Sequence, residues 1–323
     1  MRHINAAYNR AERTERRRQR ELEKQQKLYT EMQEQEKAVY EAQLFENHIG
    51  LLLSVHKECD EVCDWAKIQN APMLEKPKPS SEHEMKAQAE LDGFKVSLKD
   101  KLLGKAESKR NELLTNVEAA KKRDELDNKK ILEDYRKECA DVDRLKEIAR
   151  GILAGDIKSY IDAIKEAKPF SDISGLGSFI NFSVENPALI KVTLHANGEH
   201  VVPSEVKSIT KSGKLSVKPM PKSKFYDTYQ DYVCGCVFRV ARELFALLPI
   251  ETVIVTTMGN ILNTQTGHME ERPILSVAIP KATIDKLNFE TLDPSDALSN
   301  FVHNMGFKKG KGFNAVEPVI FPP

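Results

Sequence analysis

The sequence predicts an α+β protein in which an N-terminal long-helix arm, either a coiled coil or a helical hairpin, precedes a mostly antiparallel sheet backed by helices. Three observations carry that expectation. Most of the 15 Gly and 15 Pro lie after residue 150, and scarcity of both residues licenses long helices. The stretch before that point is rich in Glu, Lys, Arg, Gln and Ala. Beyond it, apolar residues alternate or form solid runs, as strands require. The expected division is a charged helical arm over 1–168, with a Pro-rich break at 71–81, and an α+β domain over 169–323.

Within the arm, a first helix is expected from about Ile4 to Trp65. Its opening is polar all round, with Glu12/Arg16 and Glu21/Lys24 spaced to support a solvated helix. From Leu28 a heptad-like seam follows through Met32, Val39, Ala42, Ile49 and Leu53, interrupted by Gln35 and Glu46. A seam this broken favours a short coiled coil or an antiparallel hairpin. Pro72, Pro77 and Pro79 then make a semi-rigid linker. Ser81 with Glu84 reads as a capping box for a helix carrying Met85, Leu91, Phe94, Leu98 and Leu102 on one face. A further helix is expected from about Lys105 to Ala154, folding back on the first, and a short one from Ile157 to Ala167.

The second part opens with expected strands at Phe179–Val184 and Leu189–His195, with Asn197-Gly198 as a hairpin turn signal. Strands at Val201–Thr210 and Lys214–Lys218 flank a turn at Ser212-Gly213. A long helix follows with the stripe Tyr226, Tyr229, Val233, Val237, Val240, Leu244 and Leu247. Thr252–Thr257 and Ile274–Ile279 are apolar on both faces and should be central, joined by TQTGHMEER as a hairpin loop. Short helices near Ala282–Leu287 and Pro294–His303 precede a Gly/Lys tail.

Composition limits the function classes. The chain has 323 residues, room for about two domains. Its 49 Lys+Arg balance 49 Asp+Glu, which argues against coating nucleic acid through bulk charge. Five scattered cysteines do not make a secreted disulfide framework and point to a reducing cytoplasm. No apolar signal region opens the chain and no run of eighteen apolar residues spans a membrane.

The candidate sites each carry a plainer reading. His56, Cys59 and Cys63 would share one helical face and offer imidazole and sulfur to zinc, but they continue the apolar seam and lack a fourth ligand, so packing is expected and no cofactor is. Cys234 and Cys236 point to different sides of their helix and read as core, with Gly235 permitting a close helix–sheet approach. GFKKGKGF at 306–313 falls short of a phosphate loop and reads as a turn. Glu205-Val-Lys207 has a nuclease-like spacing, yet a metal would need a second carboxylate from a neighbouring strand. His268, Glu270 and Glu271 read as a solvated turn. The sharpest asymmetry is basic. Lys207, Lys211, Lys214, Lys218, Lys222 and Lys224 occur with no acid between Glu205 and Asp227. They read as an edge hairpin protected by lysine, or as an anion or nucleic-acid surface extended by Lys308, Lys309 and Lys311.

YQDYVCGCVFRVARELFALLP, ETVIVTT, RPILSVAIP and LDPSDALSNFVH, together with HKECDEVCDW and ARGILAGD–IKSYIDAI, resemble a group of uncharacterised bacterial proteins in which a charged helical region precedes a mixed domain. The likeness covers the chain from about residue 46 and implies a bacterial cytoplasmic protein of two-part layout, with no activity attached. The leading expectation is a non-enzymatic interaction or scaffold protein. Its arm associates with itself or a partner protein, and its C-terminal domain recognises a ligand. The alternative is a nucleic-acid-acting domain, a diverged metal-dependent nuclease positioned by the arm.

Overall fold

The computed structural model describes residues 20–27, 34–95, 106–170, 179–196 and 198–320. The helices in chain order are α1 (Glu34–Ser54), α2 (Trp65–Gln69), α3 (Glu82–Asp92), α4 (Ala106–Leu153), α5 (Ile157–Ala167), α6 (Lys222–Leu247), α7 (Lys281–Ile284) and α8 (Pro294–Ala297). Residues 20–27 are also helical. The strands are β1 (Phe179–Asn186), β2 (Leu189–His195), β3 (Glu205–Ile209), β4 (Leu215–Pro219), β5 (Thr252–Leu262), β6 (Met269–Pro280), β7 (Val302–Lys308) and β8 (Gly312–Asn314). Mixed α+β architecture with a long helix and a mostly antiparallel C-terminal sheet is therefore what the chain forms.

The compact units are bounded differently from a split at residue 168. One runs to Ala66 and resumes at Ile148; the other is Lys67–Glu147. The physical reason lies in α1, which packs on α6 and on the β3–β4 ribbon. Ala38, Ala42 and Leu52 form its buried face, while Val39 and Leu53 of the expected seam are 43% and 38% exposed. The seam thus serves an intramolecular partner, turned slightly from the heptad register. Leu28 and Met32, like residues 4–19 of the expected first helix, lie outside the described residues.

That helix also stops at Ser54, well short of Trp65. Helical propensity is a weak prior against tertiary contacts, and here α6 claims the next backbone groups. Arg242 donates to the carbonyls of His56 (2.5 Å) and Lys57 (2.9 Å). Glu243 accepts from Asp60 N–H, and Ala246 carbonyl accepts from Cys63 N–H at 2.7 Å. Trp65 Nε1 donates to Leu247 carbonyl. Gly235 makes the approach feasible, since a Cβ there would stand 2.7 Å from Val55 Cγ1. The close neighbour that Gly235 admits is segment 55–56, not the sheet.

The main sheet has the order β1-β2-β5-β6-β7-β8. All neighbouring pairs are antiparallel except β2–β5, which are parallel. A parallel pair needs a crossover, and α6 supplies it. α6 is buried nearly all round, as a helix covered on several sides must be. Ile190, Val192 and Leu194 of β2, with Val253 and Val255 of β5, are at most 2% exposed and form the core face of the sheet. Ile254 lies directly opposite Ala278, and both are buried, as the paired apolar runs predicted.

Several local expectations change. The β1–β2 hairpin turns at Pro187–Ala188, and β2 pairs with β1 and β5, so the Gly198 region does not make a hairpin; Asn197 lies outside the described residues. Gly198 precedes a 3-10 turn, Glu199–Val201, and β3–β4 form a separate ribbon. β5 and β6 extend well past the expected runs, so Glu270 and Glu271 sit on a strand and the loop narrows to 263–268. His303 and the Gly/Lys tail form the β7–β8 hairpin, where backbone pairing satisfies groups that a loose tail would leave to water.

In the unit Lys67–Glu147, Ser81 makes no capping hydrogen bond. Asp124 of α4 takes that role, accepting from His83 N–H (3.3 Å) and Glu84 N–H (2.7 Å). A carboxylate from another helix reaches the orphan donors of the first turn. Asn128 exchanges two hydrogen bonds with the backbone of Ser80, and Tyr135 hydroxyl donates to Leu74 carbonyl. The proline linker is thereby fastened along α4. Of the expected apolar face, Met85 on α3 is 68% exposed while Leu91 and Phe94 are half-buried; Leu98 and Leu102 lie outside the described residues.

Candidate functional site

Residues directly opposite one another on neighbouring strands share a face. Opposite the α6 side, that rule assembles one polar row across five strands. Asn181 faces Thr193, Thr193 faces Thr256, Thr256 faces Ser276, and Ser276 faces Asn304. Thr256 and Ser276 hydroxyls are 2.9 Å apart and hydrogen-bonded. Strands alternate sides with period two, so the row is the exact complement of the apolar side chains beneath α6.

The C-terminal tail crosses part of this face. Val316 N–H donates to Pro273 carbonyl and Val319 N–H to Ser276 Oγ, each at 2.9 Å. Asn304 Nδ2 donates to Glu317 carbonyl at 2.9 Å. Beside the tail lies an open trough of about 430 Å³ lined by Asn181, Ser183, Lys191, Thr193, Ile254 and Thr256, with Pro318 and Val319 bounding it. Lys191 Nζ is 3.4 Å from Glu185, and both side chains are well exposed.

At the end of the same face, His195 Nδ1 lies 2.5 Å from Glu271 Oε1, and Phe179 stacks on the imidazole with centroids 3.9 Å apart. A carboxylate only accepts, so Nδ1 carries the proton and Nε2 is left as acceptor in the neutral ring. A nucleophile hydrogen-bonded to an oriented base marks covalent catalysis. Among the described residues no hydroxyl or thiol is bonded to Nε2. The carboxylate and the stacked ring fix the orientation of the imidazole, and among the described residues no nucleophile is bonded to it.

The basic candidates fall on two hairpins. Lys214 and Lys218 share one side of the β3–β4 ribbon, with Lys211 in its turn. Lys207 lies opposite Val217, on the other side, and pairs with Glu41 of α1 at 2.8 Å. Across the ribbon, Glu205 and Lys207 meet Pro219 and Val217 and not a carboxylate. Lys308 ends β7, and Lys309 and Lys311 occupy the β7–β8 turn, with Lys309 3.7 Å from Asp227.

His56, Cys59 and Cys63 lie on irregular chain and not on a helical face, for the backbone reasons given above. His56 is 2% exposed, and burial followed by the charges of Lys57 and Arg242 holds its pKa below the ordinary imidazole value. Burial pushes the thiols of Cys59 and Cys63 up to about 11. Among the described residues no group of three His, Cys, Asp or Glu side chains is placed to hold a metal. Cys234 and Cys236 are wholly buried in α6 and burial raises both thiols, so neither is a ready nucleophile.

A second concavity of about 570 Å³ lies in the other unit, where Lys76–Pro79 cross α4 at Asn128 and Ile131. No described helix is long and apolar enough to cross a membrane. Compared with protein-family models, curated proteins and solved structures, the chain matches none.

Sequence reading missed Asn181, Thr193, Thr256, Ser276 and Asn304. Each is an ordinary polar residue in its own strand. Only register aligns them, and the parallel β2–β5 pairing that joins the two halves leaves no local signal.

Proposed function

We propose that this is a non-enzymatic interaction protein whose C-terminal domain recognises a partner on the open face of its sheet, while the charged helical region offers a second surface for association. The observation that carries the reading is the polar row with its adjoining trough. One side of the six-stranded sheet is given to the core; on the other, where Ser276, Ile254 and Ala278 are buried, Asn181, Thr193 and Thr256 stay reachable from solvent on the same face as an oriented histidine. Sites that bind through a few placed polar groups on a rigid scaffold look like this.

The alternative, recognition of nucleic acid, draws support from the exposed Lys214 and Lys218 on one side of the ribbon. Filter binding with short single- and double-stranded oligonucleotides at low and moderate salt separates the two. The interaction reading expects the Lys214→Glu/Lys218→Glu variant to behave as wild type. Salt-sensitive binding lost in that variant would replace this reading with the nucleic-acid one.

A further inference from the structure

The tail displays how the open face reads an extended chain. Residues 315–320 form neither helix nor strand, yet three hydrogen bonds hold their backbone down. Two of these come from the polar row: Ser276 accepts an N–H, and Asn304 donates to a carbonyl. Contacts of this kind address main-chain groups, which every peptide carries. They therefore fix an extended segment whatever its side chains.

The row continues past the tail with the same two chemistries. Thr256 and Thr193 offer hydroxyls and Asn181 offers an amide. Asn181 and Thr193 make no side-chain hydrogen bond among the described residues, and both are reachable from solvent. The trough above them, about 430 Å³, falls within the range of ligand sites. Its floor holds the apolar Ile254, its rim carries the charge of Lys191, and the tail forms one wall.

We propose that this trough is a binding site for an extended peptide segment of a protein partner, laid beside the tail and held through its backbone by Asn181, Thr193 and Thr256. The inference rests on the recognition face argued above and names the class of ligand for it. The row supplies donor and acceptor groups at successive strands, about 4.8 Å apart, so a crossing peptide meets a partner group at each strand. Lys191 Nζ, already 3.4 Å from Glu185, keeps further donors for an Asp or Glu of the segment near that rim.

The test uses the full chain. It is immobilised and panned with a phage library of random dodecapeptides, and the enriched sequence is made as a labelled free peptide for fluorescence anisotropy. An enriched peptide is expected, with binding weakened about tenfold or more by Asn181→Ala/Thr193→Val, since each lost backbone contact leaves a group unpaired. Lys218→Ala, on the separate ribbon, is expected to leave it unchanged. Should the double variant lose its cooperative melt, Lys191→Ala at the exposed rim reads the same site and is expected to weaken the peptide several-fold. No enriched sequence, or binding indifferent to these trough substitutions, overturns the proposal. A partner that cross-links to position 183 while no peptide is enriched removes the peptide and leaves the recognition face standing. Loss of both removes the face.

Discussion

Glu243→Ala should be among the most damaging single substitutions in the C-terminal unit. Glu243 is 1% exposed and accepts from Arg239 Nε at 2.8 Å and from Asp60 N–H at 3.2 Å. Arg239 is 5% exposed, and Glu58 lies 3.6 Å away with a side chain 75% exposed. Removing Glu243 takes the buried carboxylate from the guanidinium while the arginine stays buried. Breaking a buried pair in this way costs about 3–5 kcal/mol, and the unpaired Asp60 N–H adds roughly 1 kcal/mol. Urea unfolding followed by fluorescence reads the effect where it occurs. The chain has a single tryptophan, Trp65, which docks on the same helix through Leu247 carbonyl. A companion variant, Arg239→Met/Glu243→Leu, removes both charges and should lose far less, because no ion is left stranded. A loss below about 1 kcal/mol for Glu243→Ala, or a double variant as unstable as the single, would refute the claim that this pair holds segment 56–65 on α6.

Three further outcomes are expected. Gly235→Ala should lose about 1–3 kcal/mol by overpacking, because its Cβ would meet Val55 Cγ1 at 2.7 Å; adding Val55→Ala should recover much of the loss in the same urea titration. Asp124→Ala should weaken the start of α3 by about 1 kcal/mol, read as faster amide exchange at His83 and Glu84, whereas Ser81→Ala should leave those amides unchanged. Asp231 is raised from 3.8 to about 6, mainly by burial and then by the charge of Asp293, with Asp227 and Asp296 adding to it and a Ser295 hydrogen bond opposing. The unfolded chain releases that proton first, so this group's contribution falls as pH rises between those values and stays unfavourable above them. Asp231→Asn should therefore raise the melting temperature near neutral pH and leave it little changed at about pH 3.5; the reverse pattern would contradict the assignment.

How much was legible depended on where each signal resided. The long α4, α5 and α6 were readable because their apolar spacing and Gly/Pro breaks are local. The central pair β5–β6 was readable because both runs are apolar on both faces, and Ile254 does face Ala278. The end of α1 was not, because helix propensity persists through His56–Asp64 and only Arg242 and Glu243, far along the chain, stop it. The cap of α3 was misread for the same reason: Ser81 and Glu84 have the right spacing, but Asp124 reaches the amides first. Gly198 looked like a hairpin turn, yet the strand before it pairs with β5 across a helical crossover. The lysines were legible as a charge run, while their partition between two ribbon sides needed the β3–β4 register. The polar row was the least accessible feature, since its five members belong to five strands.

Site-directed photo-cross-linking tests the central claim most directly. A benzoylphenylalanine is placed at position 183 beside the polar row, or at position 216 on the basic ribbon, of the full chain in cells that make it. The account predicts a discrete protein adduct from position 183, abolished when Thr193→Arg blocks the trough, and no nucleic-acid adduct from position 216. Nucleic acid captured at position 216, with position 183 silent, would contradict it.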